Sequence, residues 1–262
     1  MPELPDVETF IRYVKRTALH AKIKAVDIHS PQITADTSSR SLIRQLKGNT
    51  PVHAARHGKY MSLAMKKGGC LIVHFGMTGY IKYAKTKPDD LKYVRVTFTF
   101  SNGYHLFYIC KRLLGKLQYS QSLDSFIRKK KLGPDALRIS RKDFKERMAG
   151  SKAALKTTLM NQSILAGIGN IYADEILYQS RLHPRKKTDT LSEAEIRNLF
   201  TTMKEVIRVA VKKKADPEKM PKDYLLPHRS EDGRCPRRGH GKIKRISINS
   251  RSAYYCPKCQ KK

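Results

Sequence analysis

Three places in this 262-residue chain carry side chains whose types and spacing suit chemistry. The first is the start, Met1-Pro2-Glu3-Leu4-Pro5. An initiator Met before a small residue is normally trimmed, which would expose Pro2 as a secondary amine. A free α-amine has a pKa near ~8, so part of it is neutral at physiological pH. The positive end of a helix starting at Pro5, and a nearby Lys, would favour the neutral form further. A neutral secondary amine can attack a sugar C1′ and form an iminium with its aldehyde form, which is nucleophilic catalysis through a Schiff base. Glu3 beside it could shuttle protons. An inert terminus is the ordinary alternative for such a start.

The second place is the tail. Cys235, His240, Cys256 and Cys259 are spaced C-x4-H-x15-C-x2-C. Two residues between Cys256 and Cys259 let both thiolates reach one tetrahedral ion, so the four are candidate ligands of a structural zinc. A second C-x2-C would need Cys at 238, where Arg238 stands, and His240 is the expected fourth ligand. A finger without metal, held by packing alone, is the alternative. The third place is Gly167-Ile168-Gly169-Asn170, just before a periodic helix. Glycines at a helix start let a phosphate approach free backbone N–H groups. Asn170 is there as a helix cap or as a phosphate donor.

The elements that must hold these groups are legible in outline. Pro5, Asp6 and Glu8 suit a first helical turn, and Val7, Phe10, Ile11 and Val14 form one apolar stripe over residues 5–18. From about 22 to 120 the pattern is that of strands. Val94, Val96, Phe98 and Phe100 alternate with Arg95, Thr97 and Thr99, Ser101-Asn102-Gly103 turns, and 104–109 returns. Residues 61–65 and 70–75 make a second hairpin. Such strands predict an antiparallel sandwich. After Leu132-Gly133-Pro134 the period becomes helical. Ser192 and Glu195 form a capping box, with Leu191 and Ile196 placed for a hydrophobic staple. In the tail Lys242, Lys244, Arg245 and Arg251 lie on an expected hairpin packed through Ile243, Ile246 and Ile248.

The chain carries 54 Lys and Arg against 22 Asp and Glu, a net charge of +32, which favours a polyanionic partner. Residues 211–262 alone hold 16 Lys and Arg against 5 Asp and Glu, and so polar a segment needs a metal or a partner to fold. No apolar run is long enough for a membrane span, and the start lacks the basic-then-apolar order of a secretory signal. A cytoplasmic, nucleoid-associated or nuclear location follows, not a secreted one. There disulfides are not expected. Cys70 and Cys110, in apolar stretches, read as ordinary buried thiols.

Together these pieces resemble the formamidopyrimidine-DNA glycosylase and endonuclease VIII family of base-excision repair enzymes. The carrying motifs are Pro2–Thr9, His57-Gly58-Lys59-Tyr60, His74–Gly79, Leu132–Asp135, Ala166–Glu175 and Arg251–Gln260, in family order over nearly the whole chain. The resemblance implies an α+β, multi-domain fold: an N-terminal antiparallel β-sandwich with a leading helix (1–130), a helix–two-turn–helix domain (131–228) and a C-terminal β-hairpin zinc finger (229–262). It implies a bifunctional glycosylase and AP lyase acting on oxidised bases in damaged duplex DNA, finishing by β,δ-elimination, with one structural zinc and no other cofactor. By family role Pro2 is the nucleophile and Glu3 the general acid/base. Lys59 and Arg251 complete the catalytic set that the resemblance implies; with Asn170 they contact phosphate, and His74 joins the DNA-contacting set. Met77, Arg112 and Leu114 align with the side chains that fill the gap left by the extruded base.

Two departures stand out. Arg238 replaces a finger cysteine, and Cys110-Lys111-Arg112-Leu113-Leu114-Gly115 replaces the usual Asp-Pro-Arg-Arg-Phe-Gly. A monomer is expected. The alternatives are a non-catalytic damaged-DNA binding protein on the same scaffold, which the intact Pro2, Glu3, Lys59, Asn170 and Arg251 argue against, and a basic RNA-binding zinc protein, which leaves the chain start unexplained.

Overall fold

The structure is a computed structural model that describes residues 1–87, 91–237 and 241–261. The chain divides into two compact units. One comprises residues 1–2 and 6–131; the other comprises residues 3–5 and 132–262.

The first unit carries helix α1 (Leu4–Thr17, from Asp6 onward) and two four-stranded antiparallel sheets. Its strands are β1 (Ile23–Ile28), β2 (Pro51–His57), β3 (Tyr60–Met65), β4 (Cys70–His74), β5 (Gly79–Ala84), β6 (Val94–Phe100), β7 (His105–Cys110) and β8 (Lys116–Ser120). One sheet runs β1-β6-β7-β5 and the other β2-β3-β4-β8. Two short helices, α2 (Ser39–Leu46) and α3 (Leu123–Lys129), complete the unit. Val7, Ile11 and Val14 of α1 join the core with Leu63, Leu71, Val96, Phe98 and Leu106, which is the expected sandwich with its leading helix. Cys70 and Cys110 are buried, and no described cysteine is in a disulfide.

The alternating face expected for Val94, Val96, Phe98 and Phe100 needs one correction. Between Val94 and Val96 the register against β7 shifts by a bulge. An extra residue re-aims the strand. Val94 therefore packs with Phe107 and Ile109, while Val96, Phe98 and Phe100 stay in the main core.

The second unit is helical with a terminal hairpin. It contains α4 (Arg141–Ala149), α5 (Leu155–Met160), α6 (Asn170–Gln179), α7 (Glu193–Lys212), β9 (Lys244–Ile248) and β10 (Arg251–Tyr255). Its core joins Phe144, Leu159, Leu165, Ile176, Leu199 and Met203. The capping box at the start of α7 is formed in both directions. Asn249 and Ser250 link β9 to β10, both with positive φ, the geometry of a two-residue hairpin turn that matches strand twist. Among the described residues no helix is long and apolar enough to cross a membrane.

Candidate active site and nucleic-acid interface

In the second unit the chain start meets the loop between α5 and α6. The Leu4 N–H donates to the Gly167 carbonyl at 3.0 Å. The Glu3 carboxylate, 1% exposed, accepts from the N–H groups of Gly169 (2.6 Å), Ile171 (2.8 Å) and Tyr172 (3.3 Å). These are the donors that a helix start leaves unpaired, and they lie at its positive end. The glycines make this approach possible. Gly167 has φ +119, and a Cβ there would strike Leu4; a Cβ on Gly169 would collide with the Glu3 side chain. The sequence pattern suggested that these N–H groups await a phosphate; they hold an internal carboxylate instead.

Asn170 does not cap α6. Gly169 is the N-cap, no side chain caps it, and the buried Asn170 Oδ1 has no hydrogen-bond partner among the described residues. Gln162 knits the loop. Its amide donates to the carbonyls of Met160 and Ile168, and it accepts from Gly167 N–H.

A buried ion cluster, absent from the sequence reading, ties this helix to the hairpin. Lys156 Nζ donates to Asp174 Oδ1 at 2.6 Å and to the Ser252 carbonyl at 2.7 Å, and Arg229 pairs with Asp174 Oδ2 at 2.8 Å. Burial pushes the Asp174 carboxyl up and the Lys156 ammonium down from their ordinary ranges, and their mutual attraction opposes both. Ser252 follows Arg251, the exposed first residue of β10. Arg251, Asn249, Ile248, Lys156, Thr157 and Asn161 line a cleft of about 230 Å³.

Glu175, next along α6, accepts from the N–H groups of Leu225 (3.1 Å) and Leu226 (2.7 Å) and from Gln179. Burial pushes its carboxyl up to about 7 against these donors. It thus binds its proton more tightly folded than unfolded. Its contribution to stability is full below its ordinary value of 4.5 and is lost as pH rises through about 7. Removing it leaves two backbone N–H groups unpaired. Glu175→Ala is expected to lose about 2 kcal/mol or more at pH 5. Melting temperatures between pH 5 and 8 should show its deficit against wild type shrinking as pH rises.

The first unit holds the other expected site residues. Lys59 is buried in the turn between β2 and β3. Arg56 braces that turn through the Gly58 carbonyl and is held by Glu8 of α1. His74 closes β4. Burial first, and the Lys59 charge second, pull its imidazole down to about 4. Nδ1 accepts from Gly76 N–H, so a neutral ring would carry its proton on Nε2. Met77 and Leu114 are 40% and 48% exposed; with Met1 they are the exposed large apolar side chains among the described residues. Their loops back one another. Thr78 Oγ1 accepts from Arg112 N–H, and a Cβ on Gly76 would strike the Leu114–Gly115 backbone. Leu113 sits at φ +55, and Arg95 holds the base of its loop through the Cys110 carbonyl at 2.8 Å. Thr78 lies in a quoted motif, but Arg95 lacks any sequence signal.

At the chain's far end Cys235, Cys256 and Cys259 present sulfurs within 4.8 Å of one another. Cys235 and Cys259 are 3.6 Å apart, against about 3.8 Å for the edge of a tetrahedron with 2.3 Å Zn–S bonds. The donor set fits one structural zinc. The expected fourth ligand, His240, lies outside the described residues, as does Arg238.

Comparison with known proteins decides the family. Residues 1–117 match the formamidopyrimidine-DNA glycosylase N-terminal domain and 132–220 its H2TH domain, while 241–262 match the zinc finger found in FPG and IleRS. A Haemophilus influenzae formamidopyrimidine-DNA glycosylase is 31% identical, with all of both chains covered. The chain belongs to the formamidopyrimidine-DNA glycosylase family. Among solved members, the Lactococcus lactis Fpg in complex with abasic-site DNA matches at TM-score 0.89 and 28% identity over all of both chains. The wild-type L. lactis Fpg in complex with DNA containing N7-benzyl-Fapy-dG gives the same values. The matched H2TH range, 132–220, contains α5, the loop knitted by Gln162, and α6.

Proposed function

We propose that this chain is a bifunctional DNA glycosylase and AP lyase. It excises oxidised bases, ring-opened purines among them, from duplex DNA and then nicks the strand by β,δ-elimination. The observation that carries the reading is the Glu3 carboxylate, fixed by the backbone N–H groups of Gly169, Ile171 and Tyr172 at the start of α6 and covalently adjacent to Pro2. Once Met1 is removed, the Pro2 nitrogen attacks C1′ of the extruded nucleotide, and the bond from C1′ to the base breaks. The sugar ring opens, the iminium forms, and Glu3 passes protons between the atoms that gain and lose them. Loss of a C2′ proton expels the 3′ phosphate, and a further elimination expels the 5′ phosphate.

Lys59, Asn170 and Arg251 are assigned to phosphate contacts, His74 to the DNA-contacting set, and Met77, Arg112 and Leu114 to the space left by the base. Two exposed apolar side chains on braced loops support the second assignment. The charge of +32 supports backbone affinity that falls steeply with salt. Zinc, held by Cys235, Cys256, Cys259 and His240, has a structural role with all positions closed by protein. The division at 1–130, 131–228 and 229–262 is retained as three functional segments.

Borohydride trapping on a duplex with one abasic site tests the reading. A covalent adduct mapped to Pro2 by mass spectrometry is expected. No adduct from protein with a correctly trimmed N-terminus would overturn the assignment in favour of a non-catalytic damaged-DNA binder.

A further inference from the structure

The cysteine trio has a fourth polar neighbour that no metal motif marks. Tyr178, near the end of α6, is fully buried, and its Oη lies 3.2 Å from Cys235 Sγ. It packs in one small core with Cys235, Cys256, Cys259, Leu225 and Ile243. Arg237 clamps it in place. The guanidinium lies over the Tyr178 ring, 4.3 Å from its centroid. Nη1 donates to the Tyr178 carbonyl and Nη2 to Gln179 Oε1, both at 3.1 Å. The side chain is therefore held on both faces of its function, ring and hydroxyl.

A zinc ion with three thiolates carries net negative charge, buried here among apolar groups. A hydrogen bond donated to a thiolate sulfur disperses that charge and fixes the sulfur's lone-pair direction. Outer partners of metal ligands typically contribute about 10- to 100-fold in metal affinity. We propose that Tyr178, clamped by Arg237, is a positioning residue of the zinc site: its hydroxyl donates to the Cys235 thiolate and ties the finger to α6. The proposal rests on the reading of the trio as a zinc site. It gives α6 three fixed attachments along its length. Its first N–H groups hold Glu3, Asp174 reaches the Arg251 strand through Lys156 and the Ser252 carbonyl, and Tyr178 holds the finger's first ligand.

Tyr178→Phe in the full-length, zinc-loaded protein removes one oxygen and little else. Zinc release to a chromophoric chelator is the readout. About 10-fold faster loss than wild type, with unchanged helix content, is the expected result. Cobalt(II) in place of zinc supplies a second readout, because the sulfur-to-cobalt charge-transfer band should shift when the hydroxyl is gone. Arg237→Met, which keeps the hydroxyl but removes its clamp, should fall between the two and guards against a folding defect in the first variant. Equal zinc retention and an unshifted band in Tyr178→Phe would overturn the proposal while leaving the zinc reading intact. Wild-type protein that folds and acts without zinc would overturn the zinc reading itself, and the proposal with it.

Discussion

Glu3→Gln is expected to cut base release by about 10²- to 10⁴-fold, the range that a positioned acid/base supplies. Duplex affinity should stay within a few-fold of wild type. The variant keeps the side chain's shape but cannot move a proton. It also turns one –NH2 towards donors that now meet oxygen, since Gly169 and Tyr172 share Oε2 while Ile171 takes Oε1. A companion variant separates chemistry from placement. Gly169→Ala leaves the carboxylate intact and suits the extended backbone there, φ −124, yet its Cβ would collide with Glu3 Cδ. Displacing a catalytic group by about 1 Å can cost on the order of 100-fold. Gly169→Ala should therefore lose roughly that factor in single-turnover base release, whereas Glu3→Gln, which removes the proton carrier itself, should lose the full 10²- to 10⁴-fold. Wild-type rates from Gly169→Ala would show that the three N–H contacts do not set the position of Glu3.

The order of elements was readable because each follows a local rule. The stripe of Val7, Ile11 and Val14, the hairpins about residues 66–69 and 101–103, and the Ser192–Glu195 capping box all report periodicity or turn chemistry within a few residues. The bulge at Val94 was not, because alternation in one strand is blind to the register of its partner. Long-range pairings were hidden for the same reason. Glu3 and Gly169 are 166 positions apart, and Gly-x-Gly before a helix reads as a phosphate cradle until the carboxylate that fills it is seen. Arg95, Lys156 and Tyr178 carry no motif in the residues around them; only the fold brings them to the loops and ligands they hold. The cysteine trio was legible because C-x2-C places two ligands by local geometry alone.

Lys156→Met is expected to destabilise the second unit by about 3–5 kcal/mol, the usual cost of removing one partner from a buried ion pair. Lys156 and Asp174 are 1% and 0% exposed at their side chains, so water cannot replace the lost ammonium. Asp174 would keep only Arg229, and the Ser252 carbonyl would lose its 2.7 Å donor. Arg229→Met should cost less, because its side chain retains 17% exposure and Lys156 remains. Urea denaturation measures both, and a loss under about 1 kcal/mol for Lys156→Met would mean that the cluster does not hold this unit together. Pairing Lys156→Met with Asp174→Leu should recover part of the stability, since an apolar replacement of both partners strands no carboxylate. It should not recover the position of β10, because no side chain then holds the Ser252 carbonyl. If Arg251 contacts phosphate, the rescued double variant should fold well yet bind duplex DNA more weakly, with a salt dependence shallower by about one phosphate contact. Stability restored together with wild-type affinity would place the control of Arg251 elsewhere than in Lys156.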